Sequence, residues 1–564
     1  KVEWAPEPLQ MHDCVTDGVP VDLPSGDDVV PVGVLKYSHS PAPAFETPSV
    51  IGVARVSNPP SSWKKSPFSA AFPIELEPSV QAPSDRRVKV ELPFNAIGRK
   101  SLLLQPNSVM GEVLPEPEVD ILTLVYRDLL NEWEILFQNE CLSVPSDVEV
   151  CMDQGLNGVP SGSFVTGMNV HSSCGIPWNE RPAEAQKSNL INVDEQTGKR
   201  SFNLDVKGGA RLKAACALKL NLAKRGMRMK SYSASKLKDC LVKRAHVEIG
   251  KTRVFNCSAV EDVVCGNALF GPFKEAYIKH AKDCNHAIGI NVHSNAWEDL
   301  YDELNVFNNW FDVDYKNFDK HIPSIFMRLG FSLMIETVAK IDPDEWNLAR
   351  YVLAEGWVNS LMVDVMSVYM TEHSNKSGDV LTTVINSVVN QMFMMYCFYK
   401  CVVPSFSEFR EHVRFRTFGD DIVITVSDKY KDQFNFVTVQ DVLASIGQVA
   451  TPASKIDGKV PQFTPKEEVT FLKRRFEQRD GVVVAPLNKA SIQSVFGWTQ
   501  IQPGDVQIWY DVVQSHLYEA VCHGREYYDY FCARLKYALS RSTHTVLKRM
   551  CAPLLCVSYD VCWR

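Results

Sequence analysis

Two adjacent carboxylates, Asp420 and Asp421, follow Gly419 between two β-prone runs, 413–417 and 422–426. This order predicts a strand, a tight turn and a second strand. Glycine supplies the unusual backbone dihedral angles that such a turn needs. Carboxylates placed side by side repel each other unless a cation or a basic group lies close. The segment therefore predicts a hairpin that presents a cation-binding pair at its tip.

A third carboxylate, Asp314, ends the strand-like run 310–314. It lies 106 residues before Asp420, so only the fold can bring the two together. If they meet, they form the kind of pair that holds two Mg²⁺ ions about 3.5–4 Å apart, which activates an attacking hydroxyl and stabilises a leaving phosphate. Mg²⁺ fits because it prefers a few carboxylates plus phosphate oxygens. Asp312 can share the face of Asp314 as an extra ligand, although a salt bridge within the strand is the favoured interpretation.

Small polar residues that could bind a sugar come next in the chain, namely Ser377, Gly378, Thr382 and Asn386. The glycine favours a loop, and 380–399 is predicted to form a helix. Thr382 and Asn386 are four residues apart and so project from one face of that helix. Short polar side chains on an apolar helix usually make local hydrogen bonds. Together with Asp319, they are better explained as a site for a ribose 2′-hydroxyl, which both donates and accepts.

The chain has 564 residues, enough for several subdomains, and a formal net charge of -8. Its charge is unevenly distributed, because the segment 211–253 contains thirteen Lys or Arg and only two acidic residues. A solvated helix face is the ordinary explanation of a charge run. A run of almost only basic residues in an acidic protein instead predicts that the segment lines a channel for phosphates. The negative net charge favours one local nucleic-acid site and disfavours unspecific binding over the whole protein surface.

Sixteen cysteines without a paired CxxC spacing predict reduced thiols in a cytosolic setting. The longest apolar stretch, 392–404, is too short to span a bilayer, and no secretory signal is expected. Residues 1–70 contain eleven of the 32 prolines, which predicts an extended strap or arm. Helical periodicity begins near Val119 and returns at 325–341, and 503–547 is predicted to be mainly helical.

The order Asp314-x4-Asp319, Ser377-Gly378-x3-Thr382-x3-Asn386 and Gly419-Asp420-Asp421 resembles motifs A, B and C of viral RNA-dependent RNA polymerases. The motif sequences most resemble those of picorna-like viruses, in the broad group that includes dicistrovirus, secovirus and marnavirus polymerases. Four further segments resemble motifs G, F, D and E of the same family: Ser173-Cys174-Gly175-Ile176-Pro177, Lys238 with Lys251 and Arg253, Thr451-Pro452-Ala453-Ser454-Lys455, and Phe471-Leu472-Lys473-Arg474.

The resemblance implies an α+β fold shaped like a right hand, with fingers, a palm built on an antiparallel sheet with helices, and a helical thumb. The expected divisions are an N-terminal extension at 1–70, fingers with motifs G and F at 71–270, palm with motif A at 271–345, a fingers insertion at 346–370, palm with motifs B to E at 371–476, and thumb at 477–564.

The resemblance also implies a role for each group of residues in nucleotidyl transfer from ribonucleoside triphosphates to an RNA 3′ end. The metal ligands for two Mg²⁺ ions, which Mn²⁺ can replace, are Asp314, Asp420 and Asp421. The general acid for pyrophosphate is Lys455. The nucleotide-binding residues are Lys238, Lys251, Arg253, Asp319, Ser377, Gly378, Thr382 and Asn386. The residues expected to bind RNA are Ser173, Cys174, Gly175, Ile176, Pro177, Lys473 and Arg474.

By the same resemblance, the partners are an RNA template and primer, ribonucleoside triphosphates, other viral replication proteins and a small genome-linked protein that primes synthesis. The expected location is the host cytoplasm, at membrane sites of replication induced by the virus. The sequence departs from the family in three ways. Phe418 stands where a tyrosine is usual, and Val242 and His246 stand at basic positions of motif F. About eighty residues precede the start of a compact picornavirus enzyme.

Several alternatives were weighed against this interpretation. A Walker A loop ending at Gly250-Lys251-Thr252 needs glycine where Ala245 stands. A cysteine protease built on Cys174 would have only His171, three residues away, as its base. A reverse transcriptase would exclude the 2′-hydroxyl, whereas Asp319 and Asn386 favour its binding. A catalytically inactive RNA-binding scaffold and a polymerase fused to an N-terminal module remain as rivals.

Overall fold

The computed structural model describes residues 33–34, 61–78, 108–111, 113–160, 162–248, 253–364, 367–371, 373–453, 460–501 and 504–563. Its α-helices, in chain order, are α1 Val119–Leu136, α2 Val148–Asn157, α3 Lys187–Leu190, α4 Lys207–Lys224, α5 Arg244–Glu248, α6 Val260–Lys279, α7 Asn295–Leu304, α8 Ser324–Ile341, α9 Asn347–Val358, α10 Thr382–Cys401, α11 Phe406–His412, α12 Phe436–Ser445, α13 Lys489–Ser494, α14 Val506–Val521, α15 Arg525–Arg541, α16 Thr545–Leu554 and α17 Tyr559–Trp563.

The β-strands, in chain order, are β1 Gly33–Val34, β2 Lys64–Lys65, β3 Leu76–Pro78, β4 Ile191–Val193, β5 Arg200–Phe202, β6 Tyr232–Leu237, β7 Leu241–Lys243, β8 Val254–Cys257, β9 Asn309–Tyr315, β10 Leu361–Asp364, β11 Ser367–Met370, β12 Val413–Phe418, β13 Asp421–Val426, β14 Ala450–Thr451, β15 Glu477–Arg479, β16 Val482–Val484 and β17 Trp498–Thr499. The structure confirms the predicted hairpin and the predicted strand that contains Asp314. It also confirms the predicted helices that begin near 119, 325 and 380. The observed ends of the strands and of the helix at 380 differ from the predicted ends by at most two residues.

A four-stranded antiparallel sheet in the order β12-β13-β9-β14 carries the predicted carboxylates. Residues Ile422 to Val426 of β13 are β-branched throughout and buried, because the strand lies at the centre of this sheet. Helix α10, most of whose residues are buried, packs against β12, α1, α8 and α12. The sheet therefore rests on a rigid apolar helix, which fixes the position of the hairpin tip.

A second sheet has the order β1-β11-β10-β6-β8. It combines β6 of the basic segment, and β8 directly after that segment, with β10 and β11, which follow α9 in the chain. Residues of the regions predicted as fingers and as fingers insertion are thus neighbours in one sheet. The division of the chain into domains stays a prediction.

The C-terminal helices α14 to α17 enclose a separate apolar core. The short segment 61–78 packs onto it, with Phe68 against Trp509 and Phe72 against Phe531 at ring centroid distances of 5.5 and 5.4 Å. Strand β2 pairs with β17 beside this core, whereas β3 pairs with β7 near the basic segment. Residues 61–78 therefore connect two distant parts of the chain, and the role of 1–70 as a strap stays a prediction. The rest of the predicted N-terminal extension lies outside the described residues, apart from β1.

The basic segment differs from its prediction as a channel lining. Arg211, Lys219 and Arg228 are buried, and each has polar partners inside the protein. Arg211 pairs with Glu184 at 2.6 Å, Lys219 pairs with Asp262, and Arg228 donates to backbone carbonyls of the α9 region. These charges stabilise the packing of helices, because a buried cation must be paired. Only part of the excess positive charge is therefore exposed and able to meet phosphates.

Within the described part of the chain, every cysteine is a free thiol. In the same residues we find no helix whose length and hydropathy would let it cross a membrane.

Candidate active site

The hairpin that carries the carboxylates turns at Gly419, whose φ is +65°, and pairs Phe418 with Asp421. A side chain with a Cβ is strained at this φ, so glycine is favoured at the turn. On the other side of β13, Ile422 is opposite Val313 of β9. This is the last pair in the register, one position before Asp421 and Asp314, and the Asp314 carboxylate is near enough to raise the pKa of Asp421. The fold thus brings together carboxylates that are about a hundred residues apart in the chain.

The electrostatics of the tip reflect this convergence. Partial withdrawal from water and then the nearby carboxylates of Asp420 and Asp314 raise the pKa of Asp421 to about 6, although Lys473 opposes the effect. Among the described residues, neither Asp420 nor Asp421 forms an ion pair with a basic side chain. Uncompensated negative charge of this kind is typical of a site that a bound cation completes.

These carboxylates fit Mg²⁺ by the chemistry of their oxygen donors. In the described residues no group of three or more His, Cys, Asp or Glu is arranged as a ready cage for a metal ion. Mg²⁺ does not need such a cage, because it usually takes one or two protein carboxylates and completes its shell with waters and substrate phosphates. Asp314, Asp420 and Asp421 are therefore suited to an ion that arrives with a nucleotide.

Asp312 has a structural environment and makes no salt bridge among the described residues. Its side chain is 1% exposed, and its oxygens accept hydrogen bonds from the backbone N–H groups of Ala453 at 3.1 Å and Thr470 at 2.9 Å. Burial raises its pKa, although these hydrogen bonds act in the opposite direction. The favoured interpretation as a salt-bridged residue is therefore wrong. Asp312 instead fastens the segments after β14 and before β15 to the central strand.

Two polar residues of α10, which the sequence analysis did not single out, hold the hairpin tip. The N–H of Gly419 donates to Ser387 Oγ at 2.8 Å. Asn390 Nδ2 donates to the carbonyl oxygens of Gly419 and Asp420, both at 3.1 Å, and Asn390 Oδ1 accepts from the Tyr315 hydroxyl at 2.9 Å. Ser387 and Asn390 follow Asn386 by one and four residues. Their polar side chains in an otherwise apolar helix are the sequence feature that could have predicted this role.

The residues predicted to bind the ribose lie beside this tip. Asp319 is in a 3₁₀ turn after β9, and burial raises its pKa, with Asp420 adding to the effect while Lys320 and Arg253 oppose it. Those influences place Asp319 within electrostatic reach of both the hairpin and Arg253. Asn386 is 8% exposed, and its Oδ1 accepts from Asn375 Nδ2 at 2.7 Å. Asn375 was not predicted as a site residue.

The loop before α10 is seated on strand β8. Ser377 Oγ accepts from the N–H of Asn256 at 3.2 Å. A Cβ on Gly378 would lie 1.8 Å from the carbonyl oxygen of Asn256, so only glycine permits this approach. Thr382 is not directed at an open site, because its hydroxyl donates to the carbonyl oxygens of Lys376 and Asp379 at 2.7 and 2.8 Å. This local pattern favours a role for Thr382 in shaping the loop.

A buried lysine, also missed by sequence analysis, ties the same loop to α9. Lys376 Nζ has four carbonyl oxygens within hydrogen-bond distance, two of them from Trp357 and Val358 at the end of α9, and its three N–H groups are shared among them. Burial lowers its pKa, and burial likewise raises the pKa of Asp379, which accepts from the Ser258 hydroxyl at 2.6 Å. The loop is thus fixed at several points before it reaches the site.

Two of the predicted phosphate-binding cations are described. Lys238 and Arg253 are exposed where β6 ends and β8 begins, and the N–H of Lys238 donates to the carbonyl of Arg253 at 2.8 Å. Lys251 and Lys455 lie outside the described residues.

The predicted motif G segment contacts the start of α6 and forms an isolated antiparallel bridge between Ser173 and Gln186. Cys174 is fully buried, and the N–H of Val260 donates to its carbonyl at 2.8 Å. Burial raises the pKa of the Cys174 thiol to about 12. A protonated, enclosed thiol is a poor nucleophile, and His171 is exposed, so the protease alternative has no support. Within the segment Gly175 and Ile176 are also buried, while Ser173 and Pro177 are half-buried.

The two predicted motif E cations have different surroundings. Lys473 is exposed, has a φ of +59° and lies close enough to lower the pKa of Asp421. Arg474 is buried and pairs with Glu519 of α14 at 2.8 and 2.6 Å. Glu519 also pairs with His293 at 3.0 Å. Arg474 therefore connects the sheet region to the C-terminal helices, and its guanidinium is not displayed to a ligand.

Comparison with known proteins places these features in a family. The family described as viral RNA-dependent RNA polymerase matches residues 169–539. The replication polyprotein of Nora virus is 38% identical over 550 residues, which cover 97% of this chain and 25% of that polyprotein. The replicase polyprotein of Drosophila C virus is 28% identical over 306 residues, which cover 50% of this chain and 17% of the polyprotein. The chain thus spans about a quarter or less of the length of these relatives.

The solved structure of a Sicinivirus 3Dpol RNA-dependent RNA polymerase matches with a TM-score of 0.65 and 21% identity, covering 90% of this chain and all of that one. This match confirms the predicted α+β right-hand fold, and the polyprotein relatives confirm the resemblance to picorna-like viruses. The chain belongs to the family of viral RNA-dependent RNA polymerases, with relatives among the picorna-like viruses.

Proposed function

We propose that this chain extends an RNA 3′ end on an RNA template by transfer of nucleotides from ribonucleoside triphosphates, and so copies a positive-strand RNA genome. The observation that carries the proposal is the convergence of Asp314, Asp420 and Asp421 at the tip of a hairpin held by Asn390. A fixed cluster of negative charge, in which neither Asp420 nor Asp421 has a basic partner among the described residues, suits catalysis by two metal ions. Family membership identifies the reaction for which the cluster is suited.

When bound, two Mg²⁺ ions would acidify the primer 3′-hydroxyl and stabilise the charge of the triphosphate, and Mn²⁺ would serve in their place. Asp314 and Asp420 would be the principal ligands, with Asp421 in support. Lys238, Lys251 and Arg253 would neutralise the charge of the triphosphate in a preorganised setting. Lys455 would protonate the departing pyrophosphate.

The ribose would lie between Asp319 and Asn386, with the Ser377 hydroxyl at the entrance. Gly378 and Thr382 would act through the shape of the loop, which the contacts with Asn256 and Lys376 support. Asp319→Ala and Asn386→Ala should each lower the preference for ribonucleotides over deoxyribonucleotides. The measurement is kcat/KM for one rNTP and its dNTP on the same primer and template. Unchanged ratios in both variants would contradict this position for the ribose.

The RNA would pass the segment Ser173, Cys174, Gly175, Ile176 and Pro177 on the template side and Lys473 on the primer side. The exposure of Lys473 and its proximity to Asp421 support a phosphate contact there. Arg474 would support that contact through Glu519. The genome-linked protein primer and the other replication proteins remain proposed partners, and the polyprotein context of the relatives supports the latter.

We place the enzyme in the host cytoplasm at virus-induced membrane sites of replication. Free thiols in the described residues support a reducing compartment. The membrane association is an extension of the family resemblance.

The experiment that tests the function is extension of a labelled RNA primer with Mg²⁺ and the four rNTPs. RNA and DNA templates of the same sequence are compared, and primer–template affinity is measured in parallel. We expect extension on RNA and little on DNA. Extension that requires DNA template or dNTPs would favour a reverse transcriptase, and RNA binding without any extension, in Mg²⁺ or Mn²⁺, would favour the inactive scaffold.

A further inference from the structure

Asn375 occupies a position that links the two residues proposed to bind the ribose. Its backbone N–H donates to the carbonyl oxygen of Asp319 at 2.7 Å. Its side-chain Nδ2 donates to Asn386 Oδ1 at 2.7 Å and to the carbonyl oxygen of Thr382 at 3.1 Å. Asn375 is 3% exposed, so water does not compete for these contacts. One buried residue therefore touches the turn of Asp319 and the helix of Asn386 at once.

The Thr382 carbonyl decides the direction of this hydrogen-bond chain. A backbone carbonyl can only accept, so the end of the Asn375 amide that faces it must be the NH₂ group. The second hydrogen of that NH₂ group then points at Asn386, which must answer with its oxygen. The orientation of an amide usually has to be inferred from such a network. Here the orientation is determined, because the network begins at the Thr382 carbonyl, which can only accept a hydrogen bond.

The consequence is that the NH₂ group of Asn386 faces away from Asn375. Asn386 makes no other side-chain hydrogen bond with the described residues, so this donor is available to a ligand. The second residue of the proposed site, Asp319, offers a carboxylate, which accepts when ionised. A ribose 2′-hydroxyl both donates and accepts, so one donor and one acceptor satisfy it.

We propose that Asn375 is a positioning residue for sugar selection, which orients Asn386 so that it presents a donor to the ribose 2′-hydroxyl. The proposal rests on the proposed site between Asp319 and Asn386. It predicts that the identity of residue 375 controls sugar discrimination without contact with the nucleotide.

The test replaces the donor by an acceptor of the same shape. In Asn375→Asp, a carboxylate faces Asn386 Oδ1, so the Asn386 amide should turn over and present its oxygen to the sugar. The ratio of kcat/KM for rNTP to that for dNTP should fall about tenfold, the factor that corresponds to about 1.4 kcal/mol. Asn375→Ala removes the donor without a buried charge and should lower the ratio in the same direction. The ratio does not depend on the active fraction, so partial misfolding does not imitate the effect.

Asn435 provides a matched control, since it is also buried and its Nδ2 donates to two backbone carbonyls at 3.0 and 3.3 Å, at the start of α12. Asn435→Asp makes the same chemical change away from the sugar and should leave the ratio unchanged. A change of similar size in this variant would overturn the proposal, because it would show that the ratio responds to general loss of stability.

A double-mutant cycle separates this proposal from the function on which it rests. In an Asn386→Ala background, Asn375→Asp should have no further effect on the ratio, because Asn375 acts through Asn386. If Asn386→Ala alone leaves the ratio unchanged, the proposed ribose site is wrong. If Asn386→Ala lowers the ratio but Asn375→Asp and Asn375→Ala do not, the ribose site stands and the positioning role of Asn375 is refuted.

Discussion

Replacement of Asn390 by alanine should impair catalysis far more than its size suggests. The side chain is fully buried and makes three hydrogen bonds, one from Tyr315 and two to the carbonyls of Gly419 and Asp420. At about 1 kcal/mol each, loss of the two bonds to Gly419 and Asp420 removes roughly 2 kcal/mol of support from the tip. A shift of about 1 Å at a reacting group costs roughly a hundredfold in rate. We therefore expect kcat to fall about a hundredfold with primer–template affinity unchanged.

Gln391, the next residue of the same helix, is the matched control. It is also fully buried, yet neither of its amide atoms has a hydrogen-bond partner among the described residues. Gln391→Ala removes a larger side chain than Asn390→Ala, so packing alone predicts that the glutamine variant is the more damaged. The hydrogen-bond account predicts the opposite order in kcat. Single-turnover extension and thermal unfolding of both variants decide the question, and near-normal kcat in Asn390→Ala would refute the account.

Two further predictions concern pH and thiol reactivity. Hydrogen bonds with Cys522 and to the Glu519 carboxylate, which accepts, raise the pKa of His293 to about 9. This pairing stabilises the fold fully below about pH 6.5 and is lost as the pH rises towards 9. The melting temperature should fall over this interval in wild type and less in His293→Gln, and equal slopes would contradict the assignment. Cys174 has a buried thiol with a pKa of about 12, so it should resist iodoacetamide at pH 8, whereas the exposed Cys141 and Cys556 should react. Mass spectrometry of the folded protein after labelling measures this difference. Rapid labelling of Cys174 would contradict the prediction and show that the segment opens.

The hairpin and the main helices were predictable because their signals are local. Alternating apolar residues and a glycine turn specify 413–426, and apolar periodicity specifies α8 and α10. The sequence alone could not predict that Asp314 lies close to the hairpin, because that proximity depends on the pairing of β9 with β13. It could predict only what the carboxylates would do if they met. The family resemblance supplied the expectation that this condition is met.

The supporting residues could not be predicted, because their roles depend on contacts between distant segments. Asn390 and Gln391 are adjacent amides in one apolar helix, yet only Asn390 reaches the hairpin. Lys473 and Arg474 look like a solvated pair, but Leu472 and Lys473 have φ values of +56° and +59°, and the bend leaves Lys473 exposed and Arg474 buried. No local pattern in the sequence distinguishes the members of either pair.

The most direct test of the central claim compares single-nucleotide incorporation by wild type, Asp420→Asn and Asp428→Asn in Mg²⁺. Asp428 lies just beyond the other end of β13, where it hydrogen-bonds Asn309 and pairs with Lys431, so its variant controls for loss of a carboxylate beside the same strand. We predict normal incorporation by wild type and Asp428→Asn and none above background by Asp420→Asn, with RNA affinity equal in all three. Appreciable Mg²⁺-dependent incorporation by Asp420→Asn would contradict the assignment of the hairpin tip as the catalytic metal site.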